Sequence, residues 1–338
     1  MHPVAQPPPV AWAWAIRTSG SPGRRPAPVR TSGVDGGPVR AAVSGTPGRY
    51  AAALASSLVP YDLHTHSTAS DGTTSPGQVV RAAASAGLTG LALTDHDTGV
   101  GLVEAAAVAQ ELGIDLVPGV EISTSVTGRS VHLLGYGDIT TTPALAQVLA
   151  GTVGSRHGRL RRIVENLRAV VPALTVADVV ARVPEGVTPG RPHIADALVA
   201  VGAVPHRDAA FAELLAEDGP YYVGYRAPGL LETVRLVTEA GGAAVIAHPG
   251  SRSAADVLDD ALVERLADAG LVGLEVDHRD HDGPTRGRLR ALAARLDLLA
   301  TGSSDFHGTG KQNLLAENTT PDDVVAELLA RTGARQPS

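Results

Sequence analysis

The sequence contains no cysteine, which excludes disulfide bridges, thiolate metal sites and a cysteine nucleophile. Lys311 is the only lysine, so arginine supplies nearly all of the positive charge. No stretch approaches the ~18–20 consecutive apolar residues that a membrane-spanning helix needs. The formal net charge is -7, which argues against a protein that wraps nucleic acid over its whole surface but leaves room for a local basic patch. The absence of cysteine fits the cytoplasm, and we expect a cytoplasmic location.

Residues 1–58 differ in composition from the rest of the chain. They are rich in Pro, Gly, Ser, Ala and Arg, and their one acidic residue is Asp35. A segment without an apolar period cannot bury enough surface to offset the entropy lost on ordering. We therefore predict a disordered tail, or sequence upstream of the true start codon, and no signal peptide.

From Tyr61 onward, predicted strands and helices alternate. Repeated strand–helix units indicate an α/β fold with a parallel sheet, and enough of them imply a barrel. Between residues 145 and 225 the alternation gives way to helical periodicity, which predicts a small inserted helical domain. The predicted divisions are a tail at 1–58, a first barrel part at 59–144, a helical insertion at 145–225 and a second barrel part at 226–338.

Histidines and carboxylates recur where the predicted strands end. His64 and His66 lie at i and i+2, so both side chains point to the same face of a strand, and Asp71 follows in a turn. The full set is His64, His66, Asp71, Asp95, His96, Glu121, His132, His248, Asp305 and His307. Parallel strands end at one face of a barrel, where these groups would repel one another and be costly to bury. A cluster of divalent metals resolves both problems.

The donor set also indicates which metals and which chemistry to expect. Mixed imidazole and carboxylate ligands suit Mn, Fe or Zn better than Mg or Ca alone. We expect two or three divalent ions per chain, with Mn first and Fe, Zn or Mg as alternatives. A water bridging such ions has a lowered pKa and becomes a hydroxide nucleophile near neutral pH. No serine nucleophile elbow, glycine-rich phosphate loop or dinucleotide fingerprint competes with this interpretation.

Six blocks occur in a fixed order along the chain: DLHTHSTASDG, LALTDHD, VPGVEIS, HLLGYG, AHPG and SSDFHG. Together they resemble the PHP (polymerase and histidinol phosphatase) family. The resemblance implies an α/β fold with a distorted (β/α)7 TIM-like barrel and a trinuclear metal centre. It implies three ligand groups: His64, His66, Glu121 and Asp305; the bridging Glu121 with His132 and His248; and Asp71, His96 and His307.

A closer resemblance is to the stand-alone members of this family that carry a helical insertion. They act on nucleoside 3',5'-bisphosphates and on the 5' ends of short RNA. The block from Arg191 to Ala195 resembles one that contributes phosphate contacts in that subgroup. It implies that Arg191 binds two phosphate oxygens and that His193 donates to the phosphate or protonates a leaving oxygen. A surface salt bridge and an ordinary histidine at a helix start are the structural alternatives.

The resemblance predicts a metal-dependent phosphoesterase that hydrolyses nucleoside 3',5'-bisphosphates or short 5'-phosphorylated oligoribonucleotides. We expect a small nucleotide or oligonucleotide substrate, no membrane association and no obligate protein partner. One alternative is a histidinol-phosphate phosphatase, against which the insertion and the Arg191 block count. Another is a catalytically weak nucleic-acid-binding or regulatory module, against which the complete ligand set and the acidic body count.

Two further features stay open at this point. The basic run comprises Arg156, Arg159, Arg161, Arg162 and Arg168, and it faces either a polyanionic substrate or solvent. His278 and His281 follow a predicted strand, and we expect them in a surface loop rather than among the ligands.

Overall fold

The computed structural model describes residues 60–183 and 187–332, and these residues form a mixed α/β fold. In them, seven strands pair in sequence order to form one curled sheet. The strands are β1 (Tyr61–Thr65), β2 (Gly90–Leu93), β3 (Asp115–Val126), β4 (Arg129–Tyr136), β5 (Ala243–Ile246), β6 (Leu271–Asp277) and β7 (Leu299–Gly302). The predicted tail at residues 1–58 lies outside the described residues.

Helices connect most of the strands. They are α1 (Pro76–Ser85), α2 (Leu102–Leu112), α3 (Pro143–Leu167), α4 (Val176–Val180), α5 (Arg191–Ala200), α6 (Arg207–Glu213), α7 (Leu230–Glu239), α8 (Arg252–Ala255), α9 (Asp260–Asp268), α10 (Gly283–Arg295) and α11 (Asp322–Ala330). Helix α1 begins at Pro76, where the Ser75 hydroxyl accepts the backbone N–H of Gln78 and the proline occupies the first turn. Within the described ranges, no helix is both long and apolar enough to cross a membrane.

The β3–β4 pair departs from the predicted parallel sheet. Strand β4 runs antiparallel to both β3 and β5, whereas the other neighbouring pairs are parallel. Only Thr127 and Gly128 join β3 to β4, with φ values of 47° and 86°. A two-residue turn with both φ values positive closes an antiparallel hairpin and cannot link parallel strands. Strand β3 therefore continues to Val126, and Glu121 lies in its middle rather than at its end.

The first strand contacts the segments that follow the last one. The backbone N–H of His66 donates to Phe306 O at 2.8 Å. The buried carboxylate of Asp62 accepts the backbone N–H groups of Ser304 and Ala316, each at 3.0 Å. These bonds bring the carboxyl ends of β1 and β7 together, where the histidine-rich blocks lie.

Helix α3 contributes to two separate apolar clusters. Leu145 and Leu149, in its first half, pack in the cluster built on the sheet. Leu160 and Ile163, in its second half, belong to a cluster that also includes buried residues of α4, α5 and α6. The predicted boundary at residue 145 falls inside this continuous helix. A separate inserted domain therefore stays a prediction.

Candidate metal centre

Glu121 lies at the centre of a group of five imidazoles. Its Oε2 atom is 3.1 to 3.2 Å from ring nitrogens of His64, His66 and His96. Its Oε1 atom is 2.8 Å from His132 Nδ1 and 3.1 Å from His248 Nε2. The β3–β4 hairpin makes this possible, because it lays His132 on the neighbouring strand beside Glu121. One buried carboxylate thus links side chains from four strands or strand ends.

Asp305 completes a first possible ligand group with Glu121, His64 and His66. Its Oδ1 atom lies 3.4 Å from His64 Nε2 and 3.3 Å from His66 Nε2. One ligand atom from each of these four residues lies within 4.8 Å of all the others. This is the first group implied by the sequence blocks.

Two further groups adjoin the first. The second contains His66, Asp71, His96 and His307, and the third contains His96, Glu121 and His132. His307 Nε2 is 3.2 Å from Asp71 Oδ1. The geometry thus allows His66 to serve two groups, whereas the sequence blocks assign it to one. Because His66, His96 and Glu121 are shared, the three groups form one continuous cluster.

Several buried ring nitrogens of this cluster have no hydrogen-bond partner among the described residues. They are Nδ1 of His96, Nδ1 of His132 and Nε2 of His307. The first two approach Glu121 oxygens closely, yet not at hydrogen-bond angles. Buried donors and acceptors are normally paired, and imidazole and carboxylate atoms that converge without pairing suit a divalent transition metal. The residues present therefore fit a metal cluster.

The protonation states also suit metal ligands. Burial alone would raise the pKa of Glu121, but the imidazoles of His96 and His132 hold it well below its usual range. The pKa of Asp71 is likewise held well below its usual range by His307 and His96, against the effect of burial. Both carboxylates are therefore ionised at neutral pH, which is the form that binds a cation.

Asp95 is bonded differently from the other strand-end carboxylates. It accepts the Ser67 N–H at 2.8 Å, the Ser67 hydroxyl at 2.7 Å and the Ser70 hydroxyl at 2.7 Å. These bonds hold the loop that carries Asp71. Asp95 lies in none of the three possible ligand groups and supports the loop instead.

Glu275, on β6, was missed by the sequence analysis. It is fully buried, its Oε1 lies 3.1 Å from His64 Nδ1, and its Oε2 accepts the His248 backbone N–H at 2.6 Å. Glu275 thus contacts two of the predicted ligand residues, His64 and His248. The available signal was an acidic residue inside the apolar strand LVGLEVD.

The expectation of a surface loop at His278 and His281 is wrong, since both side chains are buried. His281 Nδ1 donates to Val276 O at 2.9 Å, and its Nε2 accepts the Gly250 N–H at 2.9 Å, so this ring ties two loops together. His278 Nε2 lies 3.7 Å from Asp305 Oδ2 at the edge of the cluster. The single lysine, Lys311, reaches the same oxygen at 2.7 Å.

A cavity of about 270 Å³ opens onto the cluster. Its wall includes Asp71, Glu121 and His248 together with Arg156, Arg159 and Arg191. The basic run thus divides: its first two arginines are buried and face the cavity, whereas Arg161, Arg162 and Arg168 are exposed. The basic run therefore divides between the cavity wall and solvent, and contact of its first part with a polyanionic substrate stays a prediction.

The Arg191 block begins helix α5 at the cavity wall. Arg191 Nη2 lies 2.8 Å from Glu217 Oε1, and its Nη1 donates to Leu215 O at 3.0 Å. His193 is buried, and its Nδ1 accepts the Gly190 N–H at 3.0 Å. Burial lowers the pKa of His193. Its ring is therefore neutral at pH 7, with the proton on Nε2.

Comparison with known proteins gives several matches. Residues 62–166 match the family model described as PHP domain. The chain is 36% identical over 258 residues to a phosphoribosyl 1,2-cyclic phosphate 1,2-diphosphodiesterase of Eggerthella lenta, covering 73% of this chain and 94% of that protein. It is 38% identical over 256 residues to a 3',5'-nucleoside bisphosphate phosphatase of Chromobacterium violaceum, covering 74% and 88%.

Two further matches concern RNA and the fold. A 5'-3' exoribonuclease of Haemophilus influenzae is 34% identical over 248 residues, covering 73% of this chain and 89% of that protein. The crystal structure of a candidate metal-dependent phosphoesterase from Bifidobacterium adolescentis superposes with a TM-score of 0.78 at 41% identity, covering 80% of this chain and 96% of that one.

Proposed function

Because this chain belongs to the PHP domain family and is a metal-dependent phosphoesterase, we propose that its substrate is a nucleoside 3',5'-bisphosphate. Water would cleave the 3' ester, releasing phosphate and leaving a 5'-mononucleotide. One observation carries the proposal: a single cavity has the ligand cluster in one part of its wall and three arginines in another. A substrate with two phosphates has one group for each part.

We propose the ligand sets implied by the sequence blocks, with two or three ions and Mn first among the candidates. The sets are His64, His66, Glu121 and Asp305; Glu121, His132 and His248; and Asp71, His96 and His307. When bound, such ions activate water and neutralise the charge that develops on the phosphoryl oxygens. The same proposal includes a distorted (β/α)7 barrel, an inserted helical domain at 145–225 and a cytoplasmic location.

The chain's own side chains would bind the second phosphate and donate a proton. The arginines bind and orient the phosphate that is not cleaved, and Arg191 shares its charge between that phosphate and Glu217. His193 carries its proton on Nε2 and lies directly after the cavity residues Gly190, Arg191 and Pro192. We propose that it donates this proton to a phosphate oxygen or to the leaving 3' oxygen.

Two other substrates follow from specific relatives. The Haemophilus influenzae exoribonuclease supports short 5'-phosphorylated RNA as a second candidate, because such RNA also presents two phosphate groups at similar spacing. The Eggerthella lenta diphosphodiesterase supports a cyclic phosphodiester of a phosphorylated sugar. Both share with the bisphosphate a second anionic group away from the reacting ester.

A substrate panel tests the proposal. The full chain, purified without chelator and supplied with Mn, is assayed on adenosine 3',5'-bisphosphate, a short 5'-phosphorylated RNA, a phosphoribosyl 1,2-cyclic phosphate and histidinol phosphate. We expect the highest kcat/KM on the bisphosphate. A preference for histidinol phosphate over every nucleotide would refute the substrate assignment and leave the metal chemistry standing.

A further inference from the structure

Arg159 is one of two buried arginines among the described residues, and it stacks on two tyrosine rings. It lies on α3, the residue is 6% exposed, and its guanidinium carbon lies 5.1 Å and 4.9 Å from the ring centres of Tyr222 and Tyr225. Stacking on aromatic faces fixes a guanidinium plane in a defined orientation. The group is therefore held in place at the cavity wall.

The hydrogen bonds of this guanidinium are incomplete. Its Nε donates to Val223 O at 2.8 Å, but its buried Nη2 has no hydrogen-bond partner among the described residues. Within those residues no carboxylate lies within ion-pair distance of it, whereas Arg156 pairs with Asp97 at 2.9 Å and Arg191 pairs with Glu217 at 2.8 Å. Arg159 is thus a buried positive charge without a counter-charge.

Such a charge is costly to maintain. Burial and the neighbouring Arg191 guanidinium lower the pKa of Arg159 to about 10, so it still carries its proton at neutral pH. A buried ion without a partner destabilises a fold, and a buried N–H without an acceptor adds to that cost. The cost is offset if a ligand supplies the missing anion in the same cavity.

We propose that Arg159 forms the subsite for the second phosphate of the substrate, the group that is not hydrolysed. Its charge without a counter-charge suits a phosphate monoester dianion, and Arg159 lines the cavity together with Tyr225. The identity of that group as a nucleotide 5'-phosphate rests on the proposed function. Arg191 already uses two of its N–H groups on Leu215 and Glu217, so Arg159 is the stronger determinant of the pair.

Binding measurements test the subsite without relying on turnover. Adenosine 5'-monophosphate and adenosine are titrated calorimetrically into the wild type, Arg159→Met and Arg161→Met, the last being a matched control two residues further along, on the exposed side of the same helix. We expect Arg159→Met to bind the monophosphate about tenfold to hundredfold more weakly, as for the loss of charged hydrogen bonds. Adenosine binding should not change, and Arg161→Met should match the wild type.

Stability and a conservative variant separate binding from packing. Because Arg159→Met removes an uncompensated buried charge, its melting temperature should equal or exceed that of the wild type. Arg159→Lys keeps the charge but not the planar fork, so its affinity should lie between the two. Unchanged monophosphate binding in Arg159→Met, or an equal loss for adenosine, would overturn the inference. If Arg159→Met does not fold, a wild-type affinity in Arg159→Lys would overturn it as well.

Kinetics separate this inference from the proposed function. On adenosine 3',5'-bisphosphate, Arg159→Met should lose about tenfold to hundredfold in kcat/KM, and on adenosine 3'-monophosphate it should lose little. If the wild type fails to hydrolyse the bisphosphate but Arg159→Met still loses monophosphate affinity, the substrate proposal fails and the subsite stands. An equal loss on both substrates would contradict the subsite.

Discussion

Glu275 accepts the backbone N–H of His248 at 2.6 Å, and His248 adopts a φ of 27°, in the left-handed region that side chains disfavour. A residue in such a conformation costs on the order of 1–3 kcal/mol and persists only where its surroundings fix it. The other oxygen of Glu275 lies 3.1 Å from His64 Nδ1. One buried carboxylate therefore fixes the backbone of one proposed ligand and the ring of another.

Replacing Glu275 should weaken metal binding more than it weakens the fold. Glu275→Gln keeps the volume but loses the charge, and outer-shell changes of this kind typically cost about 10- to 100-fold in metal affinity. Competition with a chromophoric chelator measures that affinity, and Glu327→Gln, at an exposed position on α11, is the control. Wild-type metal affinity in Glu275→Gln would show that the contact does not tune the site.

Removing a proposed ligand should abolish turnover and leave the fold intact. His64→Ala and Asp305→Ala each take away a group that faces Glu121 or His66 in the cluster. We expect no measurable hydrolysis, an unchanged circular dichroism spectrum and a lower metal content by elemental analysis. Full activity after exhaustive chelation, or metal-free protein that Mn fails to activate, would contradict the metal centre.

Asp62 should matter for stability rather than for chemistry. Its buried carboxylate accepts backbone N–H groups from Ser304 and Ala316, and Asp62→Asn places an amide NH2 against one of them. An unsatisfied buried donor costs about 1–3 kcal/mol in the free energy of unfolding. Urea denaturation measures this, with the exposed Asp256→Asn as a control expected to change little. Equal midpoints for the two variants would refute the prediction.

Arg191 and Glu217 should behave as a pair. Arg191→Ala leaves the Glu217 carboxylate at the cavity wall without its partner, where it repels a phosphate. We expect roughly a tenfold loss in kcat/KM on the bisphosphate and little loss on an aryl phosphate that lacks a second anionic group. The double variant Arg191→Ala with Glu217→Gln should recover part of the loss. Parallel losses on both substrates would assign Arg191 a purely structural role.

The sequence was most informative where the contacts are local or lie in recognisable blocks. His64 lies on β1 and His66 directly after it, and Asp305 and His307 share one short segment, so spacing and order were enough to predict that these side chains converge. The antiparallel hairpin was within reach too, because Thr127-Gly128 between two apolar runs is a two-residue turn. It was missed because the regular alternation of strands and helices suggested that every strand was parallel.

Contacts between distant segments could not be predicted in this way. The inward direction of Arg159 depends on where Tyr222 and Tyr225 lie, more than sixty residues further along the chain. The burial of His278 depends on the loops around it, and neither spacing nor composition encodes those neighbours. The unpaired state of the Arg159 charge is visible only once every surrounding carboxylate has a position.

Helix α3 runs without a break from the cluster on the sheet to the cluster of the smaller helices, with Arg156 and Arg159 between them. An α-helix turns by about 100° per residue. One residue inserted between Leu149 and Arg156 would therefore swing both guanidinium groups away from the cavity while the ligand cluster on the strands stayed where it is. If the proposed function holds, the phase of this helix sets which substrates bind, independently of the groups that cleave them.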